Sequence, residues 1–272
     1  MVIRTKMMCA ISLALTVAPL ASVNAAELYN DFYKHFNSAS SLEKDGQNPP
    51  DDVGSWAYNA NNAEAFGGVI GFGTRTRISN FSTIMSNWNG WDPDGGVGTT
   101  SSDFTTDLTL EIYNVDRSGS APSAGGLLGS FAETQMIDGR EIPSASNASF
   151  AANGTDSVVT WNLNGLNTPD EILFMVQVDG LELPQNSVPI ELSSLNIAAV
   201  ATGTSPDVTA GIDTDPGVYW RSVATNGNIS RFEAGQVFAR ASGTAIPNAS
   251  TVLLMLTGLI SLGVAASRRL HT

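Results

Sequence analysis

The chain has 272 residues, with 26 Asp and Glu against 13 Lys and Arg, two histidines and one cysteine. Four of the basic residues (Arg4, Lys6, Arg268 and Arg269) lie in end segments that contain no acid, so the body carries 26 acids against nine bases, a charge near −17. Such a body repels nucleic acid and anionic lipid, and the single cysteine, Cys9, excludes a disulfide framework or a thiolate metal site.

The chain begins with Arg4 and Lys6, continues with an apolar stretch from Met7 to Val23, and reaches small residues at Asn24-Ala25-Ala26. A basic start, a short apolar middle and small residues at the exit are the three parts of a secretory signal peptide. Residues 1–26 are therefore expected to be removed on export. A helix is expected around Leu28 to Asn37. The stretch from Ser38 to Asn62, with Pro49-Pro50 and repeated Asp and Asn, reads as a surface loop.

From residue 68 to residue 243 the pattern is strand after strand. In Asp107 to Val115, Leu108, Leu110 and Ile112 share one face while Thr109, Glu111 and Tyr113 take the other. That period of two is a half-buried strand. In Ser157 to Leu163, the residues Val159, Trp161 and Leu163 fall together. Glu171 to Asp179 is apolar on both faces, as a central strand packed from two sides must be. Further strands are expected at Val69 to Thr74, Ile78 to Trp88, Leu127 to Glu133, Leu195 to Ala201, Val218 to Val223 and Arg231 to Ala241. Short strands at this spacing, without intervening helical periodicity, predict an all-β body over 27–244: a single β-sandwich of jelly-roll or immunoglobulin-like kind. The order of Ser82 to Trp88, Leu108 to Val115, Gly126 to Phe131, Val158 to Leu163, Leu166 to Leu173 and Asp213 to Trp220 is similar to a group of exported bacterial β-sandwich proteins. The resemblance implies one continuous cell-surface domain and no particular chemistry.

Two turns place carboxylates two apart between glycines or prolines: Asp92 with Asp94, and Asp213 with Asp215. Such turns present hard oxygen ligands suited to calcium, and Asp also forms turns simply by capping its own following amides. Trp91, beyond the end of a strand and beside Asn89, is the expected sugar contact, because an exposed ring face stacks on C–H groups while an amide binds hydroxyls. Trp161 and Trp220 are expected to pack in the core or at strand ends. The body's single histidine, His35, leaves no partner set for Ser-His-Asp or zinc chemistry. A glycan-cleaving enzyme needs only two carboxylates, but nothing in the sequence singles out a pair, so the expectation is a protein without catalytic activity.

The chain closes with Ile246-Pro247-Asn248-Ala249-Ser250-Thr251, an uncharged Leu-rich run, and Arg268-Arg269. Residues of about 249–267 have the length and hydropathy of one membrane-spanning helix, and the two arginines favour a cytoplasmic end. This layout resembles the tail of PEP-CTERM proteins, whose Pro-Glu-Pro motif, span and basic end are read by an exosortase. Pro247 and Ser250 match that motif, while Asn248 and Ala249 stand where Glu and the second Pro would be. The resemblance implies that residues 245–272 are a sorting or anchor segment, with an exosortase-like enzyme as partner. The expected whole is an exported, surface-held bacterial sandwich with a structural or adhesive role toward extracellular polysaccharide. A calcium-dependent carbohydrate-binding module is the alternative, and a glycan-cleaving enzyme a more distant one.

Overall fold

The computed structural model describes residues 25–32, 53–58, 63–89, 101–140, 155–181, 192, 194–200, 210–212, 217–222, 227–232 and 235–247. Every named element among them is a strand: β1 (Ala26–Asn30), β2 (Val53–Ala57), β3 (Ala65–Gly71), β4 (Thr76–Asn87), β5 (Phe104–Asp116), β6 (Ser123–Ile137) and β7 (Thr155–Thr168), followed by β8 (Glu171–Val178), β9 (Leu195–Val200), β10 (Val218–Arg221), β11 (Ile229–Phe232), β12 (Gln236–Val237) and β13 (Ala239–Ala245). They form two sheets, and all ladders are antiparallel.

The first sheet is organised on β4. Strand β7 runs along one edge, and β13 followed by β9 runs along the other. Strand β1 extends the sheet beyond β13, and β2 extends it beyond β9. The run from Gln236 to Ala245 changes partner at Phe238, with β12 pairing to β9 and β13 to β4. The second sheet has the order β11-β10-β3-β8-β5-β6.

The two sheets bury one shared core, as a β-sandwich does. Leu108, Leu110 and Ile112 of β5 and Phe174 and Val176 of β8 meet Phe81 and Met85 of β4 and Val159 and Trp161 of β7. The Phe81 and Phe174 rings lie 4.9 Å apart, centroid to centroid. Two polar aromatic tips also cross between the sheets: the Trp161 indole N–H donates to Leu108 O at 3.2 Å, and Tyr58 Oη donates to Val176 O at 3.0 Å. Each large apolar side chain taken fully from water contributes roughly 1.5–3 kcal/mol. A body without cysteine depends on that burial.

The second sheet also curls. Its terminal strands β11 and β6 touch each other, and Tyr219 Oη of β10 donates to Pro122 O, just before β6, at 3.1 Å. Ladder irregularities beside Tyr113 in the β5–β6 hairpin bend that end inward. Ala65, Val69, Leu173, Met175 and Tyr219 are thereby buried on the face away from the shared core, with Tyr113, Val115, Ala124 and Ile229 packed against them. This explains why β3 and β8 carry apolar residues on both faces.

Three expectations are corrected. The helix expected over Leu28 to Asn37 is, as far as Asn30, strand β1 on β13; Phe32 is helical, and residues 33–37 lie outside the described residues. The loop expected from Ser38 to Asn62 contains β2, held by five paired positions on β9, and the buried Tyr58. Strand β7 does not stop at Leu163. Asn164 and Gly165 take positive φ (51° and 78°), forming a bulge after which the ladder resumes at Leu166 opposite Ile78.

Candidate functional site

Curling closes the middle of the second sheet's inner face and leaves polar groups at both ends. Along β8, Gln177 and Glu171 share this face and lie about 20 Å apart at ~3.3 Å per residue.

The Glu171 end opens into a cavity of about 370 Å³ lined by Gly71, Gly73, Arg117, Asp170, Glu171 and Ile212. This is toward the small end of ligand-sized pockets. Each wall has a local cause. Asp116 accepts from the Ser118 backbone N–H at 2.8 Å, an Asx turn that fixes Arg117 between them. The same Ser118 groups hold the Asp116 carboxyl below its ordinary range. Arg117 forms a two-pronged ion pair with Glu171, through Nε to Oε2 and Nη2 to Oε1. The Asp170 carbonyl accepts from Phe72 N at 2.7 Å, which ties the β7–β8 turn to the end of β3. Gly71 and Ile212 exchange both backbone hydrogen bonds, at 3.1 and 2.8 Å. Ile212 is left 49 % exposed on the wall.

The Gln177 end is built around Arg221. Its guanidinium donates through Nε to Glu64 Oε1 at 3.2 Å, through Nη1 to Glu111 Oε2 at 2.5 Å, and through Nη2 to Gln177 Oε1. Tyr113 Oη donates to the same Glu111 oxygen at 2.9 Å. Burial costs the Arg221 cation, but Glu111, with further help from Glu64, more than offsets that cost, so its pKa is held above the ordinary value. Burial and then the Glu111 carboxylate push the Tyr113 phenol up to about 12.

Most residues singled out from sequence lie outside the described residues: Trp91, Asp92, Asp94, Asp213 and Asp215, and, in the tail, Asn248, Ala249, Ser250, Arg268 and Arg269. Asn89 is described; it is half-buried, and its backbone N–H donates to Asn87 Oδ1 at 2.9 Å. Pro247 is exposed, one residue after Ile246, whose N–H still donates to Arg75 O at 2.8 Å. Trp161 is fully buried and Trp220 packs against the core, as expected. Among the described residues no group of three or more His, Cys, Asp or Glu is placed to hold a metal, and no helix is long and apolar enough to cross a membrane. The expected span, about 249–267, lies outside them.

Sequence reasoning missed both polar ends of the curled sheet. Arg117 and Asp170-Glu171 sit in Asp-Arg-Ser-Gly and Thr-Pro-Asp-Glu stretches whose turn chemistry was legible, but only the fold brings them together beside Ile212. No protein-family model, curated protein or solved structure matches the chain.

Proposed function

We propose that this is an exported bacterial protein with a structural or adhesive role toward extracellular polysaccharide, its body a sandwich of jelly-roll or immunoglobulin-like kind. The signal-peptide pattern of residues 1–26 and the tail of residues 245–272 support export and retention at the envelope, with an exosortase-like enzyme acting on Pro247 and its neighbours. The observation that carries the binding role is the 370 Å³ cavity lined by Arg117, Asp170, Glu171 and Ile212. It combines fixed charges with an exposed apolar wall, a pairing suited to the hydroxyl edges and C–H faces of sugars. The role is binding rather than catalysis.

A calcium-dependent form of this reading is supported by the Gly71–Ile212 bridge. Asp213 and Asp215 follow closely on Ile212 in the sequence, and Ile212 itself lines a pocket that already holds two carboxylates.

The test is co-sedimentation of the full-length protein with bacterial exopolysaccharides, first with calcium and then with chelator. Binding is expected, and loss of binding on chelation selects the calcium-dependent form. Absence of binding in both conditions overturns the polysaccharide role.

A further inference from the structure

We propose that the cavity at the Glu171 end of the curled sheet binds one sugar ring of a glycan that carries no acidic groups. This inference rests on the polysaccharide reading above and adds the site and the ligand's charge class.

The chemistry of the lining selects the ligand. Asp170 is exposed, its side chain makes no hydrogen bond to a described residue, and the pocket therefore has a carboxylate free to accept from hydroxyls. The Arg117–Glu171 pair adds a donor and an acceptor, held in place by each other and by the Asx turn at Asp116. In the same lining, Ile212 is one of the few large apolar side chains left exposed among the described residues. Gly71 is paired with it and Gly73 lies against its side chain, and neither glycine adds a side chain of its own to this apolar wall. A sugar ring matches both walls, with equatorial hydroxyls toward the charges and its C–H face on the isoleucine.

Charge then narrows the class. Among the described lining residues, Arg117 against Asp170 and Glu171 leaves one negative charge in excess, on a body that is itself strongly acidic. A uronate or sulfated sugar would have to bring its anion against both. A neutral ring meets no such cost, and its binding should be nearly independent of salt, because no long-range charge interaction is being screened.

The experiment is titration calorimetry of the full-length protein, with calcium present throughout, against dextran and galactomannan as neutral glycans and a mannuronate-only alginate, which calcium does not gel, as an acidic one. Variants are Asp170→Asn and Ile212→Ala, whose side chains are exposed, with Met136→Ser as a remote exposed control; matching thermal midpoints confirm that all are folded. Neutral-glycan binding is expected to weaken about tenfold or more in each pocket variant, which corresponds to ~1.4 kcal/mol, and to be unchanged in the control. Alginate is expected not to bind. Neutral binding that both pocket variants leave intact overturns this site while the polysaccharide reading stands. Binding of alginate in preference to the neutral glycans overturns the charge class. Binding of none of the three overturns both proposals together.

Discussion

Arg221 on β10 places Nη1 2.5 Å from Glu111 Oε2 on β5, although β3 and β8 lie between the two strands. Three strand spacings amount to about 14 Å in a flat sheet. The bond is possible because the sheet curls, and because the β3 residues at this level are Ala65 and Gly67, which put nothing tall in the way. Arg221 thus acts as a tie across the curl, gathering Glu64, Glu111 and Gln177 onto one planar cation.

Removing that cation should loosen the second sheet more than an ordinary surface change does. Arg221→Ala leaves Glu64 and Glu111 facing each other, with side chains only 17 % and 18 % exposed. The expected loss is about 2–4 kcal/mol, near the lower part of the range for breaking a buried pair, because some solvent reaches these groups. Arg221→Lys should recover less than half of it, since one ammonium cannot serve three acceptors in the plane of a guanidinium. Urea unfolding measures both. A midpoint for Arg221→Ala equal to that of the parent would show that the tie is not what holds the curl.

Gly67 tests the same sheet from the backbone. A Cβ built there would collide with the Phe174 carbonyl oxygen and lie 2.9 Å from Met175 Cα, so β3 and β8 could not keep their ladder. Backbone cannot swing aside as a side-chain tip can, and overpacking a tight site costs 1–3 kcal/mol or more even where the neighbours yield. Gly67→Ala is expected to give a protein without cooperative thermal unfolding, whereas Gly119→Ala, in the exposed β5–β6 turn, should unfold like the parent. A cooperative Gly67→Ala transition within a few degrees of the parent would refute the close approach.

The edge of β7 that faces away from β4 carries a different prediction. Glu133 on β6 accepts from Asn162 N at 2.9 Å, and Gln135 donates to Thr160 O at 2.8 Å. Two side chains from the opposite sheet thus take up backbone groups that would otherwise offer a template for another strand. Glu133→Ala with Gln135→Ala should cost roughly 1 kcal/mol for each bond lost and should also increase self-association. Light scattering over a concentration series would show that association, and a strictly monomer-like mass at every concentration would mean the seam does not guard the edge.

Much of this architecture was legible from side-chain periodicity. Leu108, Leu110 and Ile112 alternate cleanly, and the doubly apolar Glu171–Val178 strand did prove to be covered on both faces. The errors have physical reasons. Leu28 is a good helix former, and only pairing of its segment with β13, more than 200 residues along the chain, makes it part of a strand. Pro49-Pro50 made the following segment look like a loop, although β2 starts at Val53, three residues after Pro50. Asn164-Gly165 is a sound turn signal that here serves a bulge inside a continuing ladder. The turn chemistry around Arg117 and Asp170 was legible, but the pocket was not, because Arg117, Asp170-Glu171 and Ile212 come from three segments far apart in sequence that only the fold brings together.

Two phenols give the fold a marked alkaline limit. The Tyr113 pKa is pushed from 10.0 to about 12, by burial first and then by the Glu111 carboxylate, and burial alone pushes the Tyr58 phenol well above 10.0. For an acid whose folded-state pKa is raised, the folded state favours the protonated form. The stability this contributes is therefore complete below pH 10, where folded and unfolded phenols are both neutral. It is lost as pH rises from the unfolded value toward the folded one, for Tyr113 over the window from 10 to about 12. The measurement is phenolate absorbance followed alongside urea midpoints across that window. Midpoints should fall with rising pH, the step near pH 12 should vanish in Tyr113→Phe, and Tyr58 should ionise only as the protein unfolds, since its hydroxyl is committed to Val176 O inside the core. If all five tyrosines instead titrate together near pH 10 in protein that is still folded, then neither the packing of Tyr58 between the sheets nor the seat of Tyr113 against Glu111 is as tight as the geometry requires.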